Sequence, residues 1–299
     1  MKGKFQYDRK RPASDEQPEE KKQKTEVVYV GEKGTYTEIK KIGEGGFGNI
    51  MKARNDETGE LVAIKVFKKT FGLFSAGRHI NEFINESNVY SILGENPPHI
   101  LKFVDRYKKG DEPVFMVTEL MDGNLLNYVL EDATVVRDVA RQLLEGLAFM
   151  HKKGIAHTDI KPDNILWRKT PDGKIEVKIA DFGMFCHRYF NSCVQIGAGG
   201  FRDPDLRGGV DASEFDVKNV MRVDVYGIGK IIFLLLWWAS GQDIPDEGLY
   251  YSEGIGSFPD MKERNEGDAK RLEELVVQMT LPRDKRPTAE QALKLIEAV

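Results

Sequence analysis

The stretch Val220–Trp238 is apolar nearly all round at helical period, and within it Ile231–Ala239 is an unbroken apolar run. A helix of that kind has no polar face to turn toward water, so it must lie inside other structure. The run is nine residues long, whereas a membrane span needs about 20; the rest of the chain has to enclose it. With 299 residues the chain has length for one large domain or two small lobes sharing an interface. At 40% hydrophobic and 31% charged the composition is that of a soluble globular protein, somewhat rich in charge. No apolar stretch opens the chain as a secretory leader would. Two cysteines exclude a disulfide scaffold and a zinc ribbon, and a reducing interior is the expected compartment. A net charge of -4 argues against coating nucleic acid, so no direct nucleic-acid binding and no membrane association are expected.

Three textures divide the chain. Residues 1–25 carry eight Lys/Arg and five Asp/Glu and few apolar residues. Such a segment cannot bury enough surface to offset its ordering entropy, so residues 1–30 are expected to be a disordered tail. Arg9-Lys10-Arg11-Pro12 and Lys21-Lys22-Gln23-Lys24 form two basic clusters with an acidic spacer. They fit a bipartite nuclear-import signal read by a carrier's acidic grooves, or a solubilising arm. Nucleus, cytoplasm or both is the expected location.

Residues 31–120 read as a sheet-based lobe. Tyr36–Gly43, Gly48–Asn55 and Glu60–Lys69 have strand character, with Asp56-Glu57-Thr58-Gly59 as a turn. Residues 78–93 place apolar side chains at near-helical spacing, and Ile100–Val104 and Val114–Leu120 add two strands. Residues 121–299 become helical. Val136, Val139, Leu143, Leu147 and Met150 share one face, Leu272–Met279 marks a further helix, and Thr288 with Gln291 is a capping box for Ala289–Val299. The fold class is α+β in two lobes: five strands and one helix, then a larger, mainly helical part.

Gly43-Glu44-Gly45-Gly46-Phe47-Gly48 fits GxGxxG. A Walker A loop needs Lys then Ser/Thr after the last glycine, but Asn49 and Ile50 follow. A dinucleotide fold needs a helix there and an acid about 20 residues on; a strand follows, with Lys68 and Lys69 at that distance. Two readings remain, a glycine turn between antiparallel strands whose N–H groups approach a triphosphate, and an ordinary hairpin. In Val62-Ala63-Ile64-Lys65 one lysine stands in an apolar strand, which is costly unless it meets an anion. Glu86 is the preferred carboxylate to hold it and Glu82, one turn earlier, the competitor.

His157-Thr158-Asp159-Ile160-Lys161-Pro162-Asp163-Asn164, followed by Asp181-Phe182-Gly183, completes a set. GxGxxG, VAIK, HxD-x4-N, DFG and a variant APE stand in one order over residues 36–299, and on these motifs the chain resembles eukaryotic-type protein kinases. The resemblance implies ATP and Mg2+ as cofactors and a protein substrate with a Ser/Thr hydroxyl, the Asp-Ile-Lys-Pro form being that of the Ser/Thr class. It implies that Asp181 and Asn164 hold Mg2+, that Asp159 orients the acceptor hydroxyl, and that Lys161 and Lys65 meet phosphate. Thr118 would guard the back of the adenine pocket, the backbone of Glu119 and Met121 would pair with the base, and Ile50, Ala63 and Leu166 would sandwich it. Asp205 would be the APE acid paired with Arg286, and Asp224 would anchor the catalytic loop.

The chain departs from the family at three places. Thr158 replaces the arginine that in many relatives meets an activation-segment phosphate. Ser192 and Tyr189 are the hydroxyl acceptors between Gly183 and Gly197, so catalysis is expected not to require phosphorylation there. Ala198 stands where Ser/Thr-type relatives carry a threonine bonded to the catalytic Asp and Lys. Both cysteines, Cys186 and Cys193, fall in the same segment, by chance or as a thiol switch. A nucleotide-binding pseudokinase scaffold is the alternative reading. A phosphotransferase acting on RNA or a small molecule is a third, which the APE-like segment disfavours.

Overall fold

A computed structural model of the chain describes residues 26–45, 48–67, 78–110, 112–128, 132–187, 201, 203–204, 217–242, 258–259 and 266–297. The basic clusters of the tail, Gly46, Phe47, Tyr189, Ser192, Cys193, Ala198 and Asp205 lie outside these residues.

The first lobe is an antiparallel sheet of six strands in the order β1-β2-β3-β4-β6-β5. The strands are β1 (Val28–Val30), β2 (Thr35–Gly45), β3 (Gly48–Asn55), β4 (Leu61–Phe67), β5 (Phe103–Lys109) and β6 (Glu112–Glu119). The expectation of five strands and of a tail reaching residue 30 is corrected by β1. Val27-Val28-Tyr29-Val30 is a short β-branched and aromatic run, and averaging over the charged tail concealed it. β1 pairs with β2 through Tyr29↔Tyr36. The following turn is pinned by buried Asp105, which accepts from Tyr36 Oη at 2.9 Å and Lys33 N at 3.0 Å. The strand expected at Ile100–Val104 begins at Phe103, and Ile100 instead makes a parallel bridge to Ile179.

Alternation along β4 decides what the sheet shows to each side. Val62 and Ile64 are buried with Tyr36, Met51, Ala53, Phe115 and Val117. Ala63 and Lys65, one residue out of phase, therefore share the opposite face. At the β3–β4 turn Asn55 Oδ1 accepts from the N–H groups of Glu57 and Thr58. Helix α1 (Arg78–Leu93) closes this side of the lobe, with Phe83, Val89, Tyr90 and Leu93 in the main core.

The second part is built round α3 (Val217–Ser240), whose residues from Val223 to Trp237 are all buried. Helices α2 (Ala133–Lys152), α4 (Glu266–Met279) and α5 (Ala289–Glu297) surround it. Asp132 caps α2 by accepting from Thr134 N and Val135 N, and Thr288 and Gln291 cap α5 reciprocally as the capping box requires. Gly227 lets α3 approach the catalytic loop, since a Cβ there would lie 2.8 Å from Cβ of Ile160. Short strands β7 (Gly123–Asn124), β9 (Ile165–Lys169) and β10 (Ile175–Ile179) form a sheet in the order β10-β9-β7, and β8 (Ile155–Ala156) pairs with β11 (Cys186–His187). Among the described residues no helix is long and apolar enough to cross a membrane.

Candidate active site

β4 delivers Lys65 to the cleft side of the sheet, and α1 meets it with two carboxylates. Glu86 Oε1 lies 2.6 Å from Lys65 Nζ, and Glu82 Oε1 is also in hydrogen-bond contact with it. The sequence left Glu86 and Glu82 as competitors; both hold the lysine, because residues four apart share a helix face. Asp181 Oδ1 is 3.8 Å from the same nitrogen. Burial alone would lower the Lys65 pKa, but Glu86, Asp181 and Glu82 outweigh it and hold the ammonium well above its usual range. Burial pushes Glu86 up to about 8 and Glu82 up to about 7, against the pull of Lys65. Burial works the same way on Asp181, but there Lys65 prevails and keeps the carboxyl below its ordinary value.

Asp181 follows a segment tied to the catalytic loop. Ala180 N donates to Asn164 O at 2.9 Å, and Ala180 O contacts His157 Nε2 at 2.9 Å. Asn164 Nδ2 donates to Asp159 O at 2.8 Å and to Asp159 Oδ2 at 2.9 Å, and Lys161 Nζ reaches the same Oδ2 at 2.8 Å. Lys65, Asp181, Asn164, Asp159 and Lys161 thus form one connected constellation. Asp224 on α3 fixes the loop from below. Its carboxylate accepts from His157 N and Thr158 N, each at 2.7 Å, and its Oδ2 lies 3.0 Å from His151 Nε2. These bonds hold Thr158 at φ 68, while Asp181 is at φ 66. Such backbone is uncommon outside glycine and is strained for a β-branched residue. Thr158 Oγ1 in turn donates to Met184 O, a contact that the missing arginine gave no reason to expect.

The residues expected on the adenine side fall into two groups, one on the sheet and one at Leu166. Thr118 on β6 is paired with Ala63 on β4 and Phe103 on β5, and Ile50 on β3 with Lys65. Leu166 packs against Met121, Leu101 and Ala180. Of the glycine-rich turn, Gly43, Glu44, Gly45 and Gly48 are placed on β2 and β3, paired as Glu44↔Asn49 and Gly45↔Gly48. A Cβ at Gly48 would fall 2.1 Å from Val66 O, so glycine alone permits this approach. Sequence reasoning gave Glu119 a backbone role and missed its side chain. That carboxylate accepts from Lys102 N at 2.7 Å, Arg168 Nη1 at 2.9 Å and Lys178 Nζ at 2.6 Å.

One partner was not expected. Arg286 pairs with Asp203: Nη1 is 2.7 Å from Oδ2 and Nη2 3.3 Å from Oδ1, with both residues buried; Asp205, the acid expected to meet it, lies outside the described residues. The APE pattern puts the acid after the proline, but this chain has acids on both sides of Pro204. The one before the proline reaches the guanidinium, whose remaining donors go to Leu281 O and Arg222 O. Cys186 on β11 is buried and disulfide-bonded.

The residues fit Mg2+ and a nucleotide. Lys65 holds the Asp181 carboxyl below its ordinary range, and the side chain reaches solvent. Asn164 uses its NH2 on Asp159, leaving its amide oxygen for a cation. Both are the hard oxygen donors that Mg2+ takes. When bound, Mg2+ would supply charge neutralisation at the phosphates.

A buried lysine held by helix carboxylates, a loop aspartate bonded to an asparagine five residues on, and an Asp-Phe-Gly turn beside the lysine thus stand together in the order the sequence motifs gave. The family model described as protein kinase domain matches residues 36–295, and the chain belongs to that family. It is 35% identical over 154 residues to the mouse serine/threonine-protein kinase MAK, covering 50% of this chain and 23% of that protein. It is 36% identical over 154 residues to the rice cyclin-dependent kinase F-3, covering 50% of this chain and 33% of that one. It is 29% identical over 222 residues to the probable serine/threonine-protein kinase zyg-1 of Caenorhabditis elegans, covering 72% of this chain and 28% of that one. The matched region thus spans a third or less of each of these relatives.

Proposed function

We propose that this protein transfers the γ-phosphoryl group of ATP to Ser/Thr hydroxyls of protein substrates, with Mg2+. The observation that carries the reading is Asp159, held by Asn164 and Lys161 and linked through Asn164 and Ala180 to Asp181. Phosphoryl transfer needs positioning and charge neutralisation more than covalent help from the protein. Asp159 orients the acceptor hydroxyl and takes its proton. Lys161 sits beside Asp159, where it can meet the transferring charge, while Lys65 holds the nucleotide phosphates. The Ser/Thr assignment rests on Lys161 and on the names of the relatives. Radiolabelled ATP with a generic basic protein tests it, followed by phosphoamino-acid analysis. Label on serine or threonine with wild type and none with Asp159→Asn is the expected result. Equal label with both would leave a scaffold, and label on tyrosine alone would remove the Ser/Thr assignment.

Catalysis without activation-segment phosphorylation belongs to the same reading. The donation from Thr158 Oγ1 to Met184 O supports it, since it fastens the start of the segment directly to the catalytic loop. Dephosphorylated protein and the Ser192→Ala/Tyr189→Phe double variant are expected to keep their rate within about tenfold. A larger loss in either would count against it.

A further inference from the structure

Lys65 has two helix carboxylates where one would satisfy the requirement for a counter-ion. Glu82 and Glu86 both place an oxygen on its Nζ. Glu82 adds a contact of its own. Its side chain covers Gly183, where a Cβ would fall 2.8 Å from Glu82 Cγ. From the same helix, Asn85 Nδ2 donates to Gly183 O at 2.8 Å. Glu82 Oε2 is buried without a hydrogen-bond partner among the described residues. An unpaired buried carboxylate oxygen is costly, and a residue with a packing role alone would shed that cost as methionine or leucine.

We infer that Glu82 is a second positioning residue for Lys65, interchangeable in part with Glu86, and that it couples α1 to the Asp181–Gly183 turn. The inference rests on the nucleotide-binding reading of the site. A lysine held by two carboxyl groups keeps its place when either is replaced and loses it when both are. Neutralising both leaves Lys65 without a charged partner on α1, while Cγ of residue 82 and the Asn85 amide still hold α1 against Gly183.

The test compares Glu82→Gln, Glu86→Gln and the double variant in the full chain. Its readouts are kcat, KM for ATP, affinity for a fluorescent ATP analogue and Tm. Each single variant is expected to lose less than about tenfold in kcat/KM and the double more than about 100-fold, because groups acting as one unit are non-additive. The loss should fall on nucleotide affinity and KM while Tm stays near wild type; a structural role would lower Tm and leave KM alone. Should the double variant not fold, Glu86→Gln is compared with Lys65→Met. Two carboxylates predict that Glu86→Gln keeps at least about ten times more activity. A Glu86→Gln loss equal to that of the double variant, or of Lys65→Met, overturns the inference. A wild type that transfers no phosphate overturns the kinase reading instead.

Discussion

Buried charges at single residues set some of the sharpest expectations. Arg286 and Asp203 are each almost wholly enclosed, so removing one partner strands a charge in the interior. Asp203→Ala is expected to cost about 3–5 kcal/mol of stability in urea unfolding; a change below about 1 kcal/mol would contradict the pairing. Asp203 went unnoticed in the sequence because a motif states an order of residue types and says nothing of which side chain turns inward. Lys230 shows the same blindness from the other side. It is fully buried on α3, in a stretch the sequence shows as apolar nearly all round. Burial brings its pKa down from 10.5 to about 8. Between those values the unfolded chain holds a proton that the folded chain releases, so this group makes stability rise with pH across that window. Unfolding at pH 8 and pH 10 should show that rise in wild type relative to Lys230→Met. Equal pH dependence in the two would contradict it.

At the scale of elements, the strands and helices were legible where period and punctuation agreed. The β3–β4 hairpin, α2 and the boxed start of α5 fall where alternation, spacing and caps put them. Helix α1 was legible as a helix, but which of its acids faces Lys65 was not, since Glu82 and Glu86 lie on the same face. β1 was lost to the composition of the segment before it. The link between lobes was read for its backbone, while its firmest attachment is a side chain. Glu119, at the end of β6, is held by Arg168 on β9 and Lys178 on β10, so a strand of one lobe is fastened to a sheet of the other. Glu119→Gln keeps the shape and removes the charge. It is expected to lower stability by about 1–3 kcal/mol and to raise KM for ATP several-fold as the lobes loosen. Calorimetry and steady-state kinetics check this together, and an unchanged KM would contradict it.

For the molecule as a whole, two kinds of layer meet at a cleft and each supplies what the other lacks. The sheet lobe contributes a lysine and its helix counter-ions. The helical lobe contributes the loop and turn that carry Asp159, Asn164 and Asp181, fixed on α3 by Asp224. The sequence carried the residue types and their order, which sufficed for the two-lobed class and for the constellation. It could not carry distances that depend on how α1 and α3 pack, and these decide which acid meets which base. The central claim is that Asp159 acts on the acceptor hydroxyl while other groups bind the nucleotide. Its most direct test measures, in one preparation each of wild type and Asp159→Asn, the phosphoryl-transfer rate at saturating Mg-ATP and the dissociation constant for the nucleotide. The account predicts a rate loss of at least about 100-fold with affinity within about threefold. Rates that match, or a loss of rate and affinity in equal measure, would contradict it.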